Sequence, residues 1–152
     1  MSSPAKKVFK KMLHLTPALN KTSMIKPVKL VICVNTSLKM SAGKMAAQVG
    51  HASNVSTKSI NLLKKSQPHL LWKAQGQPKI VVAAKDDSHI YELQKLCEEF
   101  KIPNKVVSDA GRTEIAAGTV TCFRIGPFYS QEIDRVSGKL KLLNTWPHVY
   151  KD

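Results

Sequence analysis

The run Val28–Val34, apolar apart from Lys29, opens within a few residues into Leu38-Lys39-Met40-Ser41-Ala42-Gly43-Lys44-Met45-Ala46-Ala47-Gln48-Val49-Gly50-His51-Ala52. A short apolar run bounded by turn residues reads as a buried strand. The Ser-Ala-Gly turn and the spacing after it read as a loop entering a helix. A helix N-terminus carries unpaired amides and the positive end of the helix dipole, and lysines there add charge, so this junction is a platform for anionic groups. Gly43 is expected to let the backbone turn tightly or approach a ligand closely.

The same alternation continues to the end. Strands are expected at Val28–Asn35, Lys79–Ala84, Lys105–Ser108 and Thr119–Ile125. Helices are expected at Lys44–Lys65, Asp86–Lys101 and Ser130–Ser137, with a short helical piece at His69–Ala74. Asp86 is a good N-cap, Pro103 lies just past the end of its helix, and Gly138 can close the last one. Lys139–Leu143 reads as a short terminal segment. The fold class is therefore α/β, a small mixed β-sheet of about four strands with helices packed on both faces. Residues 27–143 form the domain, preceded by a basic extension, 1–26, and followed by a tail, 144–152.

Charge narrows the function. The chain of 152 residues carries +14, yet no Asp or Glu precedes Asp86, whereas 15 lysines do. Residues 1–85 therefore hold +15 and the rest −1, an asymmetry that suits a polyanion, nucleic acid before an acidic membrane surface. Cys33, Cys97 and Cys122 are far apart and lie in apolar runs, which fits buried, reduced thiols in an intracellular protein rather than a metal site or a disulfide framework. No apolar segment approaches the ~20 residues of a membrane span. The first residues alternate basic and apolar up to Pro17 as a short amphipathic helix would, but lack arginine. The missing arginines make a mitochondrial presequence the lesser reading, so the expected compartment is the cytoplasm, with the mitochondrion as the alternative. Monomer and homodimer both remain open.

Two constellations can carry chemistry. At 3.6 residues per turn, Met45, Val49, Ala52, Ser56, Ile60 and Leu63 share one face of the first helix, assigned to the core. Lys44, Gln48, His51 and Lys58 fall opposite, so that Lys44, Gln48 and His51 make a polar ridge beside Lys39, above the carboxyl end of the first strand. The second constellation is Ser108-Asp109-Ala110-Gly111-Arg112-Thr113-Glu114-Ile115. As structure it is a turn capped by Asp109 and Thr113. As chemistry, a carboxylate at a strand end facing lysines is what a hydrolase needs to orient or deprotonate water.

Four blocks in register resemble the type 2 peptidyl-tRNA hydrolase family: Lys39-Met-x-x-Gly43-Lys44-x-Ala46-Ala47-Gln48-x-x-His51-Ala52, Gly76-Gln77-x-Lys79-Ile80-Val81, Asp109-Ala110-Gly111-Arg112-Thr113 and Ile125-Gly126-Pro127. The likeness covers about residues 28–143. It implies hydrolysis of the ester joining a peptidyl group to the tRNA 3′ end, with peptidyl-tRNA as partner and neither metal nor organic cofactor. The implied catalytic residues are Lys39, His51, Asp109 and Thr113, and Lys44, Gln48, Gly43 and Arg112 bind substrate. The chain departs from the family at Glu114, where glutamine is common, at Ala117, where proline is frequent, and at Gly50. None of these removes a catalytic group. In the expected reaction Asp109 acts on water directly or through Thr113, with Thr113 as a covalent nucleophile the lesser alternative. Lys39 or Lys44 stabilises the oxyanion or binds terminal phosphates, while Gln48 and His51 position the ribose or carbonyl. Trp72 and Phe128 are the candidates for base stacking and are equally explained as core. The competing readings are a non-catalytic RNA-binding or protein-interaction adaptor on the same fold, and a membrane-surface protein using residues 1–26.

Overall fold

The computed structural model describes residues 25–55, 67–112 and 115–143. Four strands, β1 (Val28–Asn35), β2 (Lys79–Ala84), β3 (Asn104–Ser108) and β4 (Val120–Tyr129), form one sheet in the order β2-β1-β4-β3. β2 runs parallel to β1, and β4 runs antiparallel to both β1 and β3. Helices α1 (Ala42–Ser53), α2 (Gln67–Ala74), α3 (Asp87–Glu99) and α4 (Ser130–Ser137) complete the domain, with a 3-10 turn at Thr36–Leu38. The expected mixed four-stranded α/β architecture is what the chain adopts.

Side-chain alternation along the central strands explains their apolar character, because both faces of the sheet are covered. Val31 and Cys33 of β1 join Phe123 and Ile125 of β4 against Ile90, Leu93 and Cys97 of α3 and Ile133 and Val136 of α4. Leu30, Ile32 and Val34 point the other way, toward Met40, Ala52 of α1, Trp72 of α2 and Cys122. All three cysteines are buried and unbridged. Burial raises the Cys97 and Cys122 thiols to about 12, and raises Cys33 further. They pack as small apolar residues.

β1, β2 and α4 keep the bounds read from the sequence, β3 begins one residue earlier, and α3 begins after its N-cap, with Asp86 accepting from the His89 amide at 2.8 Å. Two elements differ more. β4 continues through Gly126-Pro127 to Tyr129. β3 starts opposite Ile125, so the far part of β4 has a strand neighbour on one side only and tolerates a proline. The first long helix ends at Ser53, because Asn54 is extended and its carbonyl accepts from the guanidinium of buried Arg124 at 3.2 Å. The rest of the helix read toward Lys65, with Ser56, Lys58, Ile60 and Leu63, lies outside the described residues. Segment 141–143 lies along the outer edge of β2, where Ala83 N donates to Lys141 O at 2.9 Å and Leu143 N to Val81 O at 3.0 Å.

Candidate active site

Geometry at the carboxyl end of β1 sets the site. Asn35, 1 % exposed, accepts from Ser37 N and Ser37 Oγ and donates to Asp87 Oδ1 at 2.6 Å and Val120 O at 2.9 Å. It pins the turn out of the strand. The chain then reverses at Lys39, whose φ of 48° is left-handed. Gly43 is not the turning residue, so the tight turn expected of it falls on Lys39 instead. It sits in the first turn of α1, without a positive φ, and nothing lies within 4 Å of where its Cβ would be. Its contribution is space. Ser41 caps α1 by accepting from Lys44 N at 3.3 Å.

The inner face of α1 is rotated from the one that apolar spacing indicates, sharing Ala52 with it and keeping Met45 and Val49 packed at its edge. Lys44, Gln48 and Ala52 are buried, whereas Met45 and Val49 are half-buried at the flank. Residues 44, 48 and 52 lie one turn apart on a single stripe, and polar groups supplied by distant segments compensate the two polar ones. Lys44 Nζ donates to Asp109 Oδ1 at 2.6 Å, with both side chains under 10 % exposed. Gln48 Nε2 also faces Asp109 Oδ1, at 3.5 Å, and Gln48 Oε1 accepts from Thr121 Oγ1 at 2.6 Å. A carboxylate only accepts, so the Gln48 amide must turn its NH2 to Asp109 and its oxygen to Thr121, which in turn must donate.

Thr121 reaches α1 because the sheet is irregular there. Val107 pairs with Cys122 but Ser108 pairs with Val120, leaving Thr121 as the extra residue of a β-bulge. A bulge re-aims the side chain it frees. Thr121 is fully buried, and its polar chain to Asp109 was missed from the sequence, where it is merely a strand residue.

Asp109 itself follows β3 directly. Its N–H donates to Thr119 O and its carbonyl accepts from Gly118 N, both at 2.9 Å, closing the loop between β3 and β4. Within that loop Gly111 has φ 75°, and a Cβ there would meet the Ala117 Cβ at 2.7 Å. Only glycine fits this approach. The hydrogen bond and charge of Lys44 hold the Asp109 carboxyl below its ordinary range against the opposing effect of burial, helped by the Gly111 and Ala110 amides. Oδ2 is buried and has no hydrogen-bond partner among the described residues.

A cavity of about 590 Å³ opens over this pair, lined by Lys44, Gln48, His51, Asp109, Arg112 and Gly43, together with Ser41, Ala47 and Ala110. His51 and Arg112 are exposed at its rim. Lys39 is exposed and is not among the lining residues, so the site brings together one of the two expected lysines. Thr113 and Glu114 lie outside the described residues. Trp72 is 3 % exposed within the core and donates to Pro78 O at 3.0 Å, which removes it as a stacking platform. Phe128 is half-buried, edge-on to Tyr129 and packed against the core on the α3 side. Among the described residues no group of three His, Cys, Asp or Glu side chains could hold a metal ion. No helix among them is long and apolar enough to cross a membrane.

Comparison with known proteins decides the family. The model of the family described as "Peptidyl-tRNA hydrolase PTH2" matches residues 28–143. The chain belongs to this family. A peptidyl-tRNA hydrolase of Methanopyrus kandleri is 44 % identical over 115 residues, covering 76 % of this chain and 97 % of that protein. One from Saccharolobus islandicus is 41 % identical over 121 residues, covering 76 % and 99 %. Another from Haloquadratum walsbyi is 40 % identical over 115 residues, with the same coverage as the second. Each relative is matched over nearly its whole length, and the PTH2 domain holds every block that lines the cavity.

Proposed function

We infer that this PTH2 domain hydrolyses the ester bond between a peptidyl group and the 3′ end of tRNA, releasing tRNA and peptide. The observation that carries the chemistry is the buried Lys44–Asp109 pair on the floor of a cavity with Arg112 at its rim. A polyanionic substrate is drawn by that rim and by the acid-free first half of the chain.

Ester hydrolysis needs a placed water, a stabilised oxyanion and a held substrate. Asp109 meets the water from the cavity floor while its Oδ1 stays with Lys44. A carboxylate held below its usual range is a weak base near pH 7, because proton abstraction is most efficient when the pKa lies near the working pH. Orienting the attacking water is therefore the main task of Asp109, and electrostatic stabilisation supplies the larger part of the acceleration. Lys44 is the charge toward which the oxyanion develops. Gln48, held by Thr121, fixes the carboxylate. His51 and Arg112 take the terminal ribose and phosphates at the rim, with Gly43 leaving room, and Lys39 contributes charge along the approach. Thr113, one residue beyond Arg112, is assigned to relay between Asp109 and water. The buried free cysteines suit a reducing compartment, and we place the reaction in the cytoplasm.

The adaptor reading keeps the fold and the basic rim but gives no reason to bury a lysine and a carboxylate against each other beneath an open cavity. The decisive assay incubates the purified chain with N-acetyl-aminoacyl-tRNA. Hydrolysis yields N-acetyl amino acid and full-length tRNA that can be aminoacylated again. Affinity for tRNA without either product would replace the hydrolase with the adaptor.

A further inference from the structure

The two outer edges of the sheet are treated differently. Segment 141–143 is hydrogen-bonded along β2, whereas β3 has a strand neighbour only in β4 among the described residues. Pro103 O accepts from Gly126 N, and Asp109 exchanges bonds with Thr119 and Gly118, so the odd-numbered residues from 103 to 109 turn their backbone groups toward β4. In an antiparallel ladder alternate residues do so, which leaves the N–H and C=O of Asn104, Val106 and Ser108 pointing outward. This outward row, without a backbone partner among the described residues, runs into Asp109 with no intervening residue.

We propose that the outer edge of β3 is the track for the peptide part of the substrate. The peptide lies beside Asn104–Ser108 as an added strand, its carboxyl end toward Asp109 and its direction parallel to β3. The proposal rests on the hydrolase reading and extends it. A hydrolase acting on peptides of any sequence must hold them by what they share, and an exposed strand edge binds backbone by hydrogen bonding. Continuity supplies the second reason. The ester carbonyl has to reach the cavity at Asp109, and the free edge is the part of the sheet that leads away from it. Outward-facing residues repeat every ~6.7 Å, the two-residue repeat of an extended peptide. Ser108 and Val106 therefore serve the residues nearest the ester, and Asn104 the next.

The test measures kcat/KM on the full chain for N-acetyl-aminoacyl-tRNA and for N-acetyl di-, tri- and tetrapeptidyl-tRNA. Each additional engaged pair should raise kcat/KM about five-fold until the edge is used up. Val106→Pro removes an outward N–H and should reduce the fold-gain in kcat/KM from the N-acetyl-aminoacyl to the tetrapeptidyl substrate, the gain being read as a ratio within each variant. Because proline can disturb the strand, the same loss is sought with the unaltered protein and a tripeptidyl-tRNA N-methylated at an internal peptide bond. Release from every substrate without dependence on length overturns the track alone. A length gain that survives both Val106→Pro and N-methylation does the same. Concentration-dependent dimerisation, lost in Val106→Pro and accompanied by length-independent rates, would assign the edge to a second copy of the chain. No release from any substrate would refute the hydrolase reading itself.

Discussion

Replacing Thr121 with valine removes one hydroxyl from a fully buried position at nearly constant volume. The hydroxyl has a single proton, and the 2.6 Å contact to Gln48 Oε1 takes it in preference to the 3.2 Å contact to Val107 O. Valine therefore strands a buried amide oxygen, at a cost of about 1–3 kcal/mol. For a domain spanning residues 28–143, with about 4 °C of melting temperature per kcal/mol, the melting point should fall by about 4–12 °C. Activity should fall further than stability, because Gln48 is one of the two side chains that hold Asp109 among the described residues, and a misplacement of ~1 Å can cost about 100-fold. The loss should appear in kcat with KM little changed. Thr121→Ser retains the donor and should recover most of kcat even though it loses a methyl group. Calorimetric melting and steady-state release of N-acetyl amino acid measure both effects. A valine variant that melts within about 1 °C of the parent and turns over at the parent rate would refute the polar chain from β4 to Asp109.

Further expectations follow from the same geometry. Asp109 has a folded-state pKa depressed by Lys44, so its contribution to stability is present above its unfolded value near 3.8 and is lost as pH falls through the folded value. Lys44→Met removes the largest cause of that depression and leaves the opposing effect of burial, so the variant should be less stable than the parent at neutral pH and should lose less stability than the parent between neutral and acid pH, as measured by chemical denaturation at both. Gly111→Ala forces a Cβ to within 2.7 Å of Ala117 at a left-handed φ, and should lower both melting temperature and turnover by loosening the loop that carries Asp109. Gly50→Ala, on an exposed turn of α1 with open space around it, should stabilise the helix by about 0.5–1 kcal/mol, seen as a higher melting temperature with unchanged release of tRNA.

What could be read from the chain alone was whatever local pattern controls. β1, β2 and α4 are bounded by strong punctuation, Pro27, Pro78 and Gly138 among it, and their limits follow. The inner face of α1 is legible only in part, Ala52, Met45 and Val49 meeting the core as their spacing indicates while Lys44 and Gln48 do not face outward. Apolar spacing alone turns Lys44 and Gln48 outward, yet Lys44 is buried through a partner 65 residues further along the chain. Thr121 depends on a bulge, and nothing in Val-Thr-Cys-Phe signals the slip in register. The left-handed turn falls on Lys39 rather than a glycine, because Asn35 anchors the preceding 3-10 turn through contacts to Asp87 and Val120 that no local window contains. Residues belonging to the motif were thus recognisable as candidates, while their inward or outward placement had to come from tertiary contacts.

The claim at the centre of this account is that the Asp109 carboxylate, held by Lys44, directs water at the peptidyl ester. Single-turnover release of tRNA by Asp109→Asn tests it most directly, with tRNA affinity and melting temperature measured alongside. The account predicts tRNA binding close to that of the parent and release slowed by about 100-fold or more. A folded Asp109→Asn protein that frees tRNA at the parent rate would contradict it.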